Sequence, residues 1–284
     1  MSSGFDEFSL AVFTTLAPAG ALAFVAVALA RLFARDHDAA VRLDRITALP
    51  FSMMLVGFIA SATHLGTPAN ALHVFSGVGR SPLSNEVFAA VMFLFLVGSY
   101  WMCAFKRHFP DAVARPWLVL ASVAGLAFVA CTSLAYSVDT VPTWNTLFTP
   151  VNLWLSALLA GPTLGLLFLR VARVDARRLS AALVVVAALA LVAGTVMLYL
   201  HHQSLGGIAN NELIASALVP DYGSAIIFHT LTGTAGCLCA ALSLRRFASP
   251  RTALALTGAA SILVLVAVFV TRIEFYQLHL TVGF

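Results

Sequence analysis

The sequence predicts an all-α integral membrane protein, a single domain over residues 1–284 with eight transmembrane helices and both termini on the periplasmic side. Three observations carry this. The 284-residue chain is 61% hydrophobic and only 10% charged, against roughly 25% charged residues in soluble proteins. Eight apolar windows contain no Asp, Glu, Lys or Arg: 8–30, 46–63, 87–105, 116–138, 147–169, 179–200, 222–244 and 252–271. Each is close to the ~20 residues that a helix needs to cross the hydrocarbon. The runs are continuously apolar rather than alternating, which disfavours a barrel, and because lipid offers no hydrogen bonds only helices or closed barrels satisfy every backbone group there.

The third observation is where the basic residues fall. Arg31, Arg35, Arg42 and Arg45 lie between the first two windows, and Lys106, Arg107 and Arg115 between the third and fourth. Arg170, Arg173, Arg177 and Arg178 follow the fifth window, and Arg245, Arg246 and Arg251 the seventh. Fourteen of the 16 basic residues therefore share one side, cytoplasmic by the positive-inside rule, and the even helix count follows independently. Arg80 and Arg272 alone fall on the other side, among seven acidic residues. The N-terminus lacks the basic region and cleavage site of a secretory signal, so the first helix is expected to be retained.

Along the chain, Pro18 and Gly20 predict a kink in the first helix. The segment from Arg31 to Arg45 reads as a solvated amphipathic linker, with His37 on its surface. The second helix ends at Thr67-Pro68, and Gly77 and Gly79 predict a turn able to approach a ligand closely. Ser81 and Pro82 read as N-cap and first residue of the third helix, which places Asn85 and Glu86 in its first turns. The connection from Asp139 to Pro150 has two prolines and Trp144 and reads as an ordered cap. Gly161-Pro162 predicts a kink or a close helix contact. The longest connection, from His201 to Asp221, is expected to hold a short interfacial helix over Asn210–Leu218. His229 is a buried polar group that needs a partner. Cys103, Cys131, Cys237 and Cys239 lie within spans without metal-site spacing and read as packing residues.

The unusual polar groups collect at the outer face: His64, Arg80, Glu86, His201, His202, His229, Arg272, Glu274 and His279. No charged residue falls mid-span, which argues against a transport path. A one-sided site at the membrane boundary suits a lipid-soluble quinol, whose hydroxyls need acceptors and whose oxidation releases two protons and two electrons. A histidine and a carboxylate supply the acceptors. Arg80 is either a loop charge or a partner for Glu86, and His73 reads as a loop residue. Three alternatives stand beside the quinol reading. A haem b-binding cytochrome-type anchor would use paired histidines, and the other two are a purely structural anchor and a proton-coupled carrier. No nucleotide-binding or nucleic-acid-binding motif is present.

The strings IASATHLGTPANAL, VGRSPLSNE, DTVPTWNTLFTP, GPTLG, ALVPDYG and FYQLHLTVG resemble, in order and over nearly the whole sequence, the membrane-anchor subunit of the bacterial dimethyl sulfoxide reductase family. LYLHHQSLGG and TRIEF depart from its pattern. The resemblance implies a multi-pass anchor in the cytoplasmic membrane with no haem or metal of its own. It also implies two partners on the periplasmic face, a molybdopterin catalytic subunit and a four-cluster iron–sulfur subunit. The anchor is then expected to oxidise menaquinol in anaerobic respiration, with His64 and Glu86 as the catalytic pair. Arg80 and Asn85 join them in quinol binding, and Arg272, Tyr276 and His279 are possible supports.

Overall fold

The computed structural model describes residues 8–63, 68–105, 110–245 and 249–280, with the side chains of 68–71 left aside. Nine α-helices form among them: α1 (Phe8–Phe33), α2 (His37–Ile46), α3 (Ala48–Ala62), α4 (Pro82–Ala104), α5 (Asp111–Ala135), α6 (Phe148–Val171), α7 (Arg177–Ser204), α8 (Tyr222–Leu242) and α9 (Pro250–Gln277). Helices α2 and α3 run on as one span, so eight segments are long and apolar enough to cross a membrane, as expected. The described residues contain no strand, only an isolated bridge between Ala209 and Ile214.

Helix α1 is the axis of the bundle and packs against α3, α5, α6 and α9. Its small residues let neighbouring backbones approach. A Cβ on Gly161 would lie 2.4 Å from the Leu22 Cβ, and one on Gly165 2.5 Å from the Ala26 Cβ. Gly161-Pro162 thus marks a close helix contact, one of the two readings the sequence offered. Pro18 sits inside an uninterrupted α1, and Gly20 lies against α3, where a Cβ would be 3.1 Å from the Pro50 carbonyl oxygen. Without a hydrophobic drive between helices in lipid, such close packing is what holds spans together.

The arginine-rich end is more ordered than a solvated linker. Asp36 caps α2 by accepting from the Ala39 N–H at 2.8 Å, and α2 folds back over the ends of α1 and α4. Arg31 is 3% exposed. It donates through Nε to Asp44 at 2.8 Å and through Nη2 to Asp111 at 2.7 Å. The Tyr100 hydroxyl donates to the same Asp44 carboxylate. Arg42 Nε donates to the Ala172 carbonyl at 2.9 Å, which ties α2 to the end of α6.

At the opposite end the Asp139–Pro150 connection is an ordered cap, as expected. Trp144 stacks on Phe275 with ring centroids 5.0 Å apart and donates its indole N–H to the Phe275 carbonyl at 3.0 Å. The Thr143 hydroxyl donates to the Leu278 carbonyl. The loop before α4 is a 3-10 helix, Pro68–Gly77, rather than a simple turn. Gly79 follows in the left-handed region (φ 82°), a conformation glycine adopts at no steric cost. The interfacial helix expected over Asn210–Leu218 shrinks to one 3-10 turn, Ala215–Leu218. Its first residues instead close a tight loop on the Asn210 side chain, which accepts from the N–H groups of Glu212 and Leu213.

Candidate functional site

Glu86 enters the bundle because of how α4 starts. Ser81 is the N-cap and accepts from the Ser84 N–H at 3.4 Å, and Pro82 opens the helix. One turn further on, Glu86 points inward and is only 4% exposed. It faces Thr132 on α5. Its Oε1 has no hydrogen-bond partner among the described residues. No cation lies within ion-pair distance of it among the described residues. A buried carboxylate left this way is costly unless something polar meets it.

Beside Glu86 stand two tyrosines, Tyr136 and Tyr276, with ring centroids 5.7 Å apart. The Tyr276 hydroxyl reaches the Leu10 carbonyl at 3.3 Å and the Thr14 hydroxyl at 3.4 Å, so α1 helps to fix it. Arg272, one turn before Tyr276 on α9, is 5% exposed. Its Nη2 donates to the Asn152 carbonyl at 3.0 Å and to the Ser156 hydroxyl at 2.9 Å. Its Nε is buried without a partner, and among the described residues no carboxylate lies within 4 Å.

Arg272 also lines a cavity of about 20 Å³ together with Thr149, Asn152, His201, Tyr222 and His229. That is room for a water molecule or two. His201 is buried against Phe148 and shares a 3.2 Å hydrogen bond through Nδ1 with the Tyr222 hydroxyl. His229 meets the Ala267 carbonyl through Nδ1 at 3.0 Å, which supplies the partner its burial required. Among the described residues no three His, Cys, Asp or Glu side chains gather as a metal site.

The remaining sequence-selected residues fall as follows. His64 lies outside the described residues. Arg80 is exposed and donates through Nη2 to the Ser76 carbonyl at 3.0 Å, so it is a loop charge and not a partner of Glu86. Asn85 accepts from the Gly79 N–H at 2.7 Å and fastens the turn to α4. His279 is exposed and packs against Trp144 with ring centroids 5.0 Å apart. His73 is exposed in the 3-10 helix. Arg272 and Tyr276 are one turn apart, as expected, but α9 runs past them to Gln277 and buries both inside the bundle. Sequence reasoning missed Thr132, Tyr136, Asn152 and Ser156. The last two carried a signal: polar residues four apart in an apolar span share one helix face.

An all-helical bundle with eight segments long and apolar enough to cross a membrane, and with unpartnered polar groups buried at one end, defines a multi-span membrane protein. The comparisons with known proteins narrow that class. The family model for the DMSO reductase anchor subunit (DmsC) matches residues 1–278, and the protein belongs to this family. It is 35% identical over 283 residues to the YnfH subunit of anaerobic dimethyl sulfoxide reductase from Escherichia coli (strain K12), covering 100% of this sequence and 98% of that one. It is 36% identical over 290 residues to the C subunit of anaerobic dimethyl sulfoxide reductase from the same organism, with the same coverage. The corresponding C subunit of Haemophilus influenzae is 27% identical over 286 residues, again with 100% and 98% covered. The protein is a multi-pass inner-membrane protein.

Proposed function

We propose that this anchor binds menaquinol at the periplasmic face and oxidises it, with His64 and Glu86 as proton acceptors. The two electrons pass to an iron–sulfur subunit and on to a molybdopterin catalytic subunit, both docked on that face. The observation that carries the reading is Glu86, a carboxylate with a free oxygen, 4% exposed and without a cation among the described residues, where α4 meets the loop that follows His64. A quinol hydroxyl is the kind of group such an oxygen accepts from. The two quinol protons leave through the paired residues toward the boundary, and the apolar bundle surface receives the isoprenoid tail. Arg80 and Asn85 shape the loop over the site, and Tyr276 and Arg272 back it from α9. The charge asymmetry of the loops supports periplasmic termini. A bis-histidine haem is disfavoured between His201 and His229, because the cavity they share is about 20 Å³.

The test is quinol-dependent turnover by the assembled complex carrying Glu86→Gln or His64→Ala. Loss of a positioned proton acceptor is expected to slow turnover by about 10²–10⁴-fold, with membrane assembly intact. Undiminished turnover in both variants would sink the proposal. Binding of a quinone analogue to the purified complex, lost on His64→Ala, separates this reading from a purely structural anchor.

A further inference from the structure

The arginine-rich end carries a second constellation, independent of the quinol reading. An open groove of about 960 Å³ lies among the ends of α6 and α8 and the starts of α7 and α9. Arg170, Arg173, Arg177, Arg245 and Arg251 line it, and Asp175 is the one carboxylate among its lining residues. None of these five arginines forms an ion pair with a carboxylate among the described residues. Arg170 donates through Nη2 to the Ser243 carbonyl at 3.3 Å, and its Nε is buried without a partner.

Two long helices also begin at this groove, α7 at Arg177 and α9 at Pro250. Helix N-termini present free N–H groups and the positive end of the helix dipole. The residue before α7, Ala176, offers no side-chain cap. At α9, Ser249 accepts from the Thr252 N–H at 3.1 Å. Arg177, Arg178 and Arg251 occupy these first turns, where a cation opposes the dipole and an anion is favoured. Topology asks only for basic residues somewhere in these loops. It does not ask for five of them around one groove with two helix N-termini.

The rim identifies the anion. Leu254 lines the groove and is 42% exposed. Val174 and Leu244 complete an apolar wall. Arginine forks bind phosphate oxygens in pairs, and exposed aliphatic side chains at a membrane boundary meet acyl chains. Basic pockets between spans on the cytoplasmic side suit anionic lipid headgroups. We propose that this groove binds an anionic phospholipid of the diphosphatidylglycerol type. Its phosphates lie against Arg177 and Arg251 at the two helix N-termini and against Arg170, and its acyl chains lie along Leu254 and Leu244.

The test is native mass spectrometry of the intact complex in mild detergent, titrated with cardiolipin, phosphatidylglycerol, phosphatidylcholine and inorganic pyrophosphate. Wild type is expected to bind cardiolipin at least about tenfold more tightly than phosphatidylcholine. Arg177→Gln/Arg251→Gln is expected to lose about that factor for cardiolipin while phosphatidylcholine binding stays unchanged. Equal retention by the variant would overturn the proposal. Displacement of cardiolipin by equimolar pyrophosphate would also overturn it, by making free phosphate the ligand. The wild-type comparison needs no variant: lack of preference for the anionic lipid would end the proposal even if the double substitution failed to assemble.

Discussion

Arg31→Met is expected to destabilise the bundle by roughly 3–5 kcal/mol, the usual cost of removing one partner from a buried ion pair. The magnitude rests on Asp44. Its side chain is 7% exposed and receives the Arg31 Nε at 2.8 Å. Once the guanidinium is gone, the carboxylate keeps the Tyr100 hydroxyl, itself inside the core, and has no cation within ion-pair distance among the described residues. The second bond of Arg31, to Asp111 at 2.7 Å, contributes little because that carboxylate is 55% exposed and water replaces the partner. Asp111→Asn alone should therefore cost no more than ~1 kcal/mol. Adding Asp44→Asn to Arg31→Met removes the stranded charge and leaves an acceptor for Tyr100, so the double variant should recover most of the loss. The assay is reversible unfolding of the subunit in detergent micelles, run as a double-mutant cycle. If Arg31→Met proves as mild as Asp111→Asn, or if the second substitution deepens the loss, the buried pair does not hold this end together.

Gly161→Ala places a Cβ 2.4 Å from that of Leu22 on the central helix, and overpacking of this kind costs about 1–3 kcal/mol. Gly258→Ala meets nothing within 4 Å and should be neutral or up to ~1 kcal/mol stabilising; equal unfolding midpoints for the two variants would refute the close-contact argument. Arg272→Met removes a buried cation that has no carboxylate within reach among the described residues, so stability should stay within about 1 kcal/mol or rise. Quinol-dependent turnover should nonetheless fall at least tenfold if the arginine backs the site. Wild-type turnover would remove it from the site, and marked unfolding would show that its bonds to Asn152 and Ser156 are structural.

Most of the architecture was legible because lipid simplifies the code. Long apolar runs have one stable backbone solution, and alternation of arginine-bearing loops fixes which ends lie together. The cap of α4 was legible too, since Ser81-Pro82 satisfies a local rule that needs no tertiary information. What escaped was contact between distant segments. Arg31 and Asp44 read as solvated charges because nothing local shows that α2 folds back over α1. Glu86 could be placed in the first turns of a helix, but its burial comes from distant segments such as α5, and Thr132 and Tyr136 look like any polar residues near a span end. Arg80 misled in the opposite direction: scarcity on its side of the membrane singled it out, yet its loop turns it to solvent and onto the Ser76 carbonyl.

The two ends treat buried charge in opposite ways, and this contrast bears on where function lies. At the arginine-rich end the buried guanidinium of Arg31 meets two carboxylates, one of which also takes a tyrosine hydroxyl. That arrangement fixes a structure. At the other end Glu86 and Arg272 are each about as buried, yet neither faces an opposite charge within ion-pair distance among the described residues. Tyr136 and Tyr276 interact electrostatically with both. Had the bundle needed only stability there, apolar residues would serve better, or the two charges would meet. Holding them apart in an apolar setting leaves each with unmet hydrogen-bonding capacity, which a proton-bearing ligand at the membrane boundary would satisfy. If that is the reason for their separation, Glu86→Gln and Arg272→Met should change turnover far more than stability, the reverse of what Arg31→Met does.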